Sequence, residues 1–517
     1  MTPHAHLDTG QLYAAAERAF VSGQYDTARV HAGSILQMQP EHAAALHLRG
    51  LIALEAKEPE GAAHWIEHAL RVRPDPVFYN SLSVVQIRSG ALASGAASAQ
   101  RGLDLARSQP SVAFDTSILA FNLGVALQLN DDMEGAEHAY RSVIATNPAH
   151  SGAHNNLGLV MNALGDVEAA IEHHRRAYAL DPSNLEARSN IGHMMLAAGR
   201  YEEAWPHFEC RWAALGNNRG ERGARPVALP VPQWQGEPLP KDGARLFIVY
   251  EQGLGDALQF CRFFPLALAR FASIGFNCPK PLRRLFDDSF GARYPQLKLL
   301  DDMPSDWSEW DCHSPMLSLP MALGIGLQNL ASAPSRYLRA DARRAEYWRG
   351  RLAAVAPQGV PRIGIVWAGG KINARMDQMR SIAPAQIERL LTWPRAQWIC
   401  LQKADDASKE LTPTKRPNVT DWMSEIADFA DTAALVEHLD LVIAVDTSVA
   451  HLAAAMGRRV WLLNRYAGCW RWLRGRTDSP WYPGMRIFNQ SERGDWGDVL
   501  SKVIEALELE FSARDDR

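Results

Sequence analysis

Two groupings in this chain of 517 residues have the residue types and spacing for chemistry. The first is Gly253-Leu-Gly255-Asp256, just after the apolar run 246–250. Glycines there let the backbone turn tightly and approach a ligand. An Asp fixed at the start of the next helix can take a proton from an attacking hydroxyl as general base. The same Asp could serve only as a helix N-cap, because short glycine motifs are weak signals. The second grouping is Asp446-Thr447-Ser448-Val449-Ala450-His451, which follows an apolar run and opens a helix. Free N–H groups and the helix dipole at such a start suit a diphosphate. Thr447 and Ser448 add hydroxyls, and His451, one turn in, can reach the same anion. The plainer reading is an ordinary cap with a packed histidine.

Cations are the next requirement, because a departing phosphate carries charge. Lys403 ends the segment Leu401-Gln-Lys and would point into the same cleft, although a surface lysine has the same appearance. Arg380 follows a long polar loop that opens at Gly369, as substrate-binding loops often do. Trp470-Arg-Trp472 and Trp481-Tyr482 suit stacking on a sugar or base, and core packing equally well. His64 with His68, and His173 with His174, lack a third ligand at suitable spacing, so no metal site is expected.

A third grouping is periodic. Asn122, Asn156 and Asn190 recur at 34 residues. Amides at one helix position in stacked repeats form a ladder with a donor and an acceptor on each rung, which suits an extended peptide. An Asn bracing an inter-helix turn is the alternative. Ala28, Ala62, Ala96, Ala136, Ala170 and Ala204 follow the same period, apart from a longer step after Ala96. Pro40, Pro74, Pro148 and Pro182 lie twelve residues beyond, and Gly50, Gly124, Gly158 and Gly192 twelve before. Small residues let paired helices approach, and the proline stops the second helix. This is the tetratricopeptide period. It predicts about six repeats over 8–212, with an insertion near Gln109-Pro110. Such an α-solenoid presents a concave face for a protein partner. Self-pairing into a homodimer is compatible with it without being indicated.

Composition then changes. Of 16 tryptophans only Trp65 precedes residue 200, whereas 14 of 17 histidines precede residue 213. Residues 213–243 read as a Gly-, Arg- and Pro-rich linker packing on the second half of the chain. Apolar runs at 246–250, 362–367, 398–401, 441–445 and 460–463 alternate with helical stretches. They predict an α/β half with two doubly wound Rossmann-like lobes, 244–358 and 359–512. Ligands in such sheets bind where strand ends meet helix starts.

Net charge is −4, which gives no argument for nucleic acid or an anionic membrane. The N-terminus lacks the basic and apolar pattern of a signal peptide, and no run is long enough to span a bilayer. Six scattered cysteines without a CxxC pair read as reduced thiols in the cytoplasm.

Residues 246–510 resemble the glycosyltransferase family that includes bacterial heptosyltransferases, of GT-B fold. The matching segments are Gln252-Gly-Leu-Gly-Asp256, Val366-Trp-Ala-Gly369, Arg380-Ser-Ile382, Leu401-Gln-Lys403, Asp428-Phe-Ala-Asp-Thr432, Val445-Asp-Thr-Ser-Val-Ala-His-Leu452 and Trp470-Arg-Trp-Leu473. With its repeats the chain is similar to bacterial tetratricopeptide-repeat glycosyltransferases, some linked to modification of flagellin or other surface proteins. The repeat half also resembles that of the eukaryotic O-linked N-acetylglucosamine transferase, whose asparagine ladder holds acceptor peptides. The resemblance implies Asp256 as catalytic base. It implies Gly253, Gly255, Gly369, Arg380, Asp446, Thr447, Ser448 and His451 around the donor, and Lys403 on its diphosphate. Gln259 stands where the family's motif often has His, and loop 370–379 does not align, so heptose is not implied.

The expectation is therefore a cytoplasmic, metal-independent, inverting glycosyltransferase with a nucleotide sugar as co-substrate and no other cofactor. Its protein acceptor would lie along Asn122, Asn156 and Asn190. Two rivals stay open: an adaptor or chaperone with an inactive transferase lobe, and a transferase acting on a saccharide or lipid acceptor.

Overall fold

The computed structural model describes residues 8–109, 114–214, 229–370, 374–403 and 416–511. The chain divides into two compact units, Met1–Ala187 and Arg188–Arg517.

Six helix pairs make up the repeats: Thr9–Val21 with Tyr25–Met38, Ala43–Glu55 with Pro59–Val72, Pro76–Arg88 with Leu92–Ser108, Thr116–Leu129 with Met133–Thr146, Ser151–Ala163 with Val167–Leu180, and Leu185–Ala197 with Tyr201–Phe208. Side-chain caps start many of them. Asp132 and Asp166 accept the N–H of Gly135 and Ala169, each at 2.9 Å. His42 and His150 cap with Nδ1, accepting from Ala45 and Ala153 at 3.1 and 3.0 Å. Part of the histidine richness of this half is thus capping.

Within pairs, the glycines sit where no side chain fits. A Cβ at Gly50, Gly124 or Gly158 would come within 2.4, 2.6 or 2.7 Å of Ile66, Tyr140 or His174. At Gly192 it would meet the Phe208 backbone nitrogen at 2.5 Å. The third pair departs from the expected register. Its first helix starts at Pro76, one residue earlier than the period puts it, after the cap Asp75. The buried small residue of its second helix is consequently Gly95, while Ala96 is only half-buried. Pro110, at the expected insertion, lies outside the described residues.

The second unit holds two parallel sheets. The first contains β1 (Arg245–Val249), β2 (Ser273–Asn277), β3 (Leu297–Leu300) and β4 (Cys312–Pro315), in the order β3-β2-β1-β4. The second contains β5 (Arg362–Val366), β6 (Gln397–Cys400), β7 (Val419–Asp421), β8 (Leu441–Val445), β9 (Val460–Asn464) and β10 (Met485–Asn489), in the order β10-β9-β8-β5-β6-β7. Their central strands are mostly apolar, Leu441–Val445 wholly so, as both faces are covered by helices. In each sheet the order reverses next to the first strand, and a crevice opens there at the strand ends. These crevices lie between β1 and β4 and between β5 and β8.

Three borders of the expected domains can be followed in the structure. Of the stretch 213–243, residues 215–228 lie outside the described residues, and residues 229–243 pack on the first sheet. Gln233 bridges to His313, and Trp234 sits edge-on to Phe271 at 4.9 Å. The helix Ala342–Val355 lies against the second sheet's helix Phe429–Val436, and the Ala345 carbonyl meets His438 Nε2 at 2.8 Å. The last repeat helix belongs to the second unit. Its Tyr201, Trp205 and Phe208 are buried there, with Trp205 Nε1 donating to the Ile325 carbonyl at 2.7 Å and Trp481 Nε1 to the Tyr201 hydroxyl at 2.9 Å.

Candidate active site

After β1 the chain turns through Tyr250, Glu251 and Gln252. Gln252 has φ of 61°, in the left-handed region, a conformation costing roughly 1–3 kcal/mol for a non-glycine residue. The surroundings hold it. Tyr250 N–H donates to Asn277 at 2.7 Å, and its hydroxyl donates to the Gln252 carbonyl at 3.0 Å. Glu251 is 3% exposed. Its carboxylate takes Arg211 in a two-pronged bond at 2.9 and 2.8 Å, and also the Leu317 N–H at 2.8 Å. Burial pushes the Glu251 carboxyl up, and Arg211 works against that. Arg211 also bonds Glu209 and Ser318, each at 2.8 Å.

The clamp delivers Gly253 as the N-cap of the helix Leu254–Phe260. Asp256 stands at the third helical position, where its Oδ2 accepts the Gly253 N–H at 2.9 Å. Its Oδ1 accepts from Arg471 Nη2. The Asp256 side chain keeps 17% of its surface exposed, so it is braced on two sides and open on a third.

Arg471 comes from the loop after β9. Its Nε donates to Gln259 Oε1 at 2.5 Å and its Nη1 to Cys469 Sγ at 3.1 Å. Its guanidinium lies over the Trp470 ring at 4.5 Å. Burial opposes the charge, but the Asp256 carboxylate overrides it and holds the guanidinium above its ordinary value.

The helix Ser448–Ala455 follows β8, with Thr447 as N-cap. A Cβ on Gly255 would lie 3.1 Å from His451 Cδ2 and 3.5 Å from Ser448 Cα. The two helix starts, one from each sheet, therefore touch. His451 is 4% exposed. It stacks on Trp472 at 5.2 Å, and its Nδ1 meets the Tyr482 hydroxyl at 3.0 Å. Burial drives its pKa down to about 3, so the ring is neutral. The Asp446 carboxylate lies 3.9 Å from its Nε2.

Gly369 and Arg380 form a third element of the crevice. A Cβ on Gly369 would strike the Arg380 guanidinium, so the glycine makes room for it. Arg380 Nη1 donates to the Asp446 carbonyl at 2.9 Å, and Nη2 to Asp377. The expected loop is largely helical, Ala374–Arg380 forming a helix that ends on Arg380, and residues 371–373 lie outside the described residues. Lys403 follows β6: its Nζ donates to the Ile426 carbonyl at 3.2 Å, and the preceding Gln402 accepts the N–H groups of Trp367 and Ala368, at 3.3 and 2.9 Å. Asp256, Gly253, Gly255, Ser448 and His451 are thus brought together, with Thr447, Asp446, Arg380 and Gly369 beside them, while the one bond seen for Lys403 goes to the Ile426 carbonyl.

The three repeat asparagines are half-buried. Asn122 Nδ2 donates to Asn80 Oδ1 at 2.7 Å, and Asn156 Nδ2 to the Tyr140 hydroxyl at 3.2 Å. These two donors serve the array itself, and Asn190 also has a partner. The tryptophans 470, 472 and 481 and Tyr482 are buried core residues.

Arg471 and Glu251 were given no role of their own in the sequence reading, and Gln259 was noted only as standing where the family's motif often has His. A charged residue between two tryptophans is the one local signal that Arg471 is a buried cation. Among the described residues no three His, Cys, Asp or Glu side chains gather to hold a metal ion, and no helix is long and apolar enough to cross a membrane.

The tetratricopeptide repeat family matches residues 13–77 and 121–184. Glycosyltransferase family 9 (heptosyltransferase) matches residues 402–464, the stretch that carries β8, Asp446–His451 and β9. Protein FlbA of Caulobacter vibrioides is 28% identical over 305 residues, covering 54% of this chain and 48% of that protein. The chain thus spans about half the length of that relative. Among solved structures, PilW, a type IV pilus biogenesis factor, is similar over 41% of this chain and 94% of its own, with 17% identity and a TM-score of 0.36. YrrB, a tetratricopeptide protein with an unusual peptide-binding site, is similar over 35% and 90%, with 18% identity and a TM-score of 0.31.

Proposed function

From a chain that carries tetratricopeptide repeats and a family 9 glycosyltransferase segment, we propose an inverting glycosyltransferase of GT-B type. It moves a sugar from a nucleotide sugar to a Ser or Thr hydroxyl of a protein held along the repeats. The acceptor class implied by the resemblance is flagellin or another surface protein, and the setting is the cytoplasm. The observation that carries the reading is the meeting of the two helix starts, which sets Asp256 beside Ser448 and His451 with one side open.

In the proposed reaction the acceptor oxygen attacks the anomeric carbon, and the bond from that carbon to the phosphate oxygen breaks. The acceptor proton passes to Asp256. Both of its oxygens already accept one bond, yet each keeps a second lone pair. The first-turn N–H groups of Ser448–Ala455 and the Thr447 and Ser448 hydroxyls receive the diphosphate. Charge on the leaving group falls to arginines, with no metal assigned. His451, being neutral, serves as a hydrogen-bonding and stacking group and not as a cation.

The test is a thermal-shift panel of ADP-, UDP-, GDP-, CMP- and dTDP-sugars, followed by mass spectrometry of candidate acceptor proteins. One donor class should raise Tm. Asp256→Asn should keep that shift and lose roughly 10²–10⁴-fold in transfer. The braced state of Asp256 also favours a second reading, in which it only ties the lobes of an adaptor together. In that case no nucleotide shifts Tm, and acceptor binding ignores donors.

A further inference from the structure

Native proteins rarely leave buried hydrogen-bonding groups without partners, and each exception needs an explanation. Several lie around this crevice. Arg380 Nε, Thr447 Oγ1 and Gln259 Nε2 are buried atoms with no partner among the described residues, and Gln259 is 0% exposed. All three can donate. They lie on the elements that meet there: Arg380 is bonded to the Asp446 carbonyl, Thr447 is the N-cap residue of Ser448–Ala455 but makes no side-chain cap bond, and Gln259 is held by Arg471, the partner of Asp256. Orphaned donors around one crevice call for an anionic ligand.

Its cations are mostly committed. Arg471 is occupied by Asp256, Gln259 and Cys469. Arg474 donates to the Tyr466 carbonyl, and Lys403 to Ile426. Arg465 is different. It is half-buried and directly follows β9. Val445 of β8 pairs with Leu463 of β9, so Arg465 leaves its strand alongside Thr447. Among the described residues it makes no hydrogen bond or ion pair. Burial works against its charge, and Arg380 and Arg493 add repulsion to the pull of Cys469 and Asp446. A half-buried guanidinium that attracts Asp446 without pairing with it, and makes no other ion pair, is costly. A planar fork also suits two adjacent phosphates better than a point charge does.

We propose that Arg465, and not Lys403, is the main cation for the donor's diphosphate, bridging it with Arg380 and Thr447. The inference rests on the nucleotide-sugar reading above. It is tested by titration calorimetry on the full chain with pyrophosphate and with ADP, UDP, GDP, CDP and dTDP. The proteins are wild type, Arg465→Gln, Arg465→Lys and Lys403→Ala. Arg465→Gln should weaken the preferred nucleoside diphosphate and pyrophosphate by roughly ten- to a hundred-fold. Arg465→Lys should fall between it and wild type, and Lys403→Ala should change Kd by less than about three-fold. Without ligand, the Tm of Arg465→Gln should not fall, since the guanidinium has no protein bond to lose. If Arg465→Gln binds like wild type, if Lys403→Ala loses more, or if unliganded Arg465→Gln melts early, the assignment of Arg465 is wrong while the transferase reading stands. If no diphosphate binds wild type, the transferase reading itself fails and the assignment goes with it.

Discussion

His451 shows how a residue that reads as an anion ligand is changed by its surroundings. Buried, stacked on Trp472 and near Arg471, it has a pKa of about 3, against about 6.5 in an unfolded chain. Between those values the unfolded chain takes up a proton that the folded one refuses. The contribution to stability is therefore complete above pH 6.5 and is lost as pH falls toward 3, at up to about 1.4 kcal/mol per pH unit for one proton. His451→Gln should lose less stability than wild type between pH 7 and pH 5, measured by urea midpoints. An equal drop in both proteins would show that His451 titrates normally. At this scale the motif residues were legible because each sits within a few positions of a strand end. Arg471 was not. Its bond to Asp256 joins positions 215 residues apart, and periodicity carries no information over that distance. Lys403 was legible only as a cation near a strand end, and its commitment to Ile426 depends on a neighbouring loop.

At the scale of elements, close approach of paired helices sets which glycines are required. Gly192 faces backbone, with a Cβ position 2.5 Å from the Phe208 nitrogen, and backbone cannot rotate away. Gly33, also helical, has nothing within 4 Å. Gly192→Ala is expected to destabilise by about 1–3 kcal/mol, and Gly33→Ala to stabilise by about 0.5–1 kcal/mol through helix propensity. Chemical denaturation of each variant checks both, and the same sign for the two would refute the packing argument. Strands were easily read, since apolar runs such as Leu441–Val445 match the observed strand. The third helix pair was read one residue out because its helix start is fixed by Asp75 and Pro76, a local signal that overrides a period.

At the scale of the whole molecule, the change in composition near residue 213 foretold two halves but not their border. The second compact unit begins at Arg188, because the last repeat helix buries Tyr201, Trp205 and Phe208 against aromatics far along the chain. That feature has a consequence during synthesis. Tyr201 is bonded to Trp481, 280 residues later. At about 5–20 residues per second a ribosome needs roughly 15–55 s to supply the partner. Throughout that interval the repeats, built from local contacts, can already be folded, while the aromatic stripe of their last helix lacks the cover of Trp470 and then of Trp481. A nascent chain arrested near residue 460 should therefore be cut by protease, or held by a chaperone, within Leu185–Phe208. The released full chain should resist at the same place, and equal resistance in both would mean the stripe finds another cover. The cost of covering a helix with rings made 280 residues later is a wait in the open, set by the speed of translation.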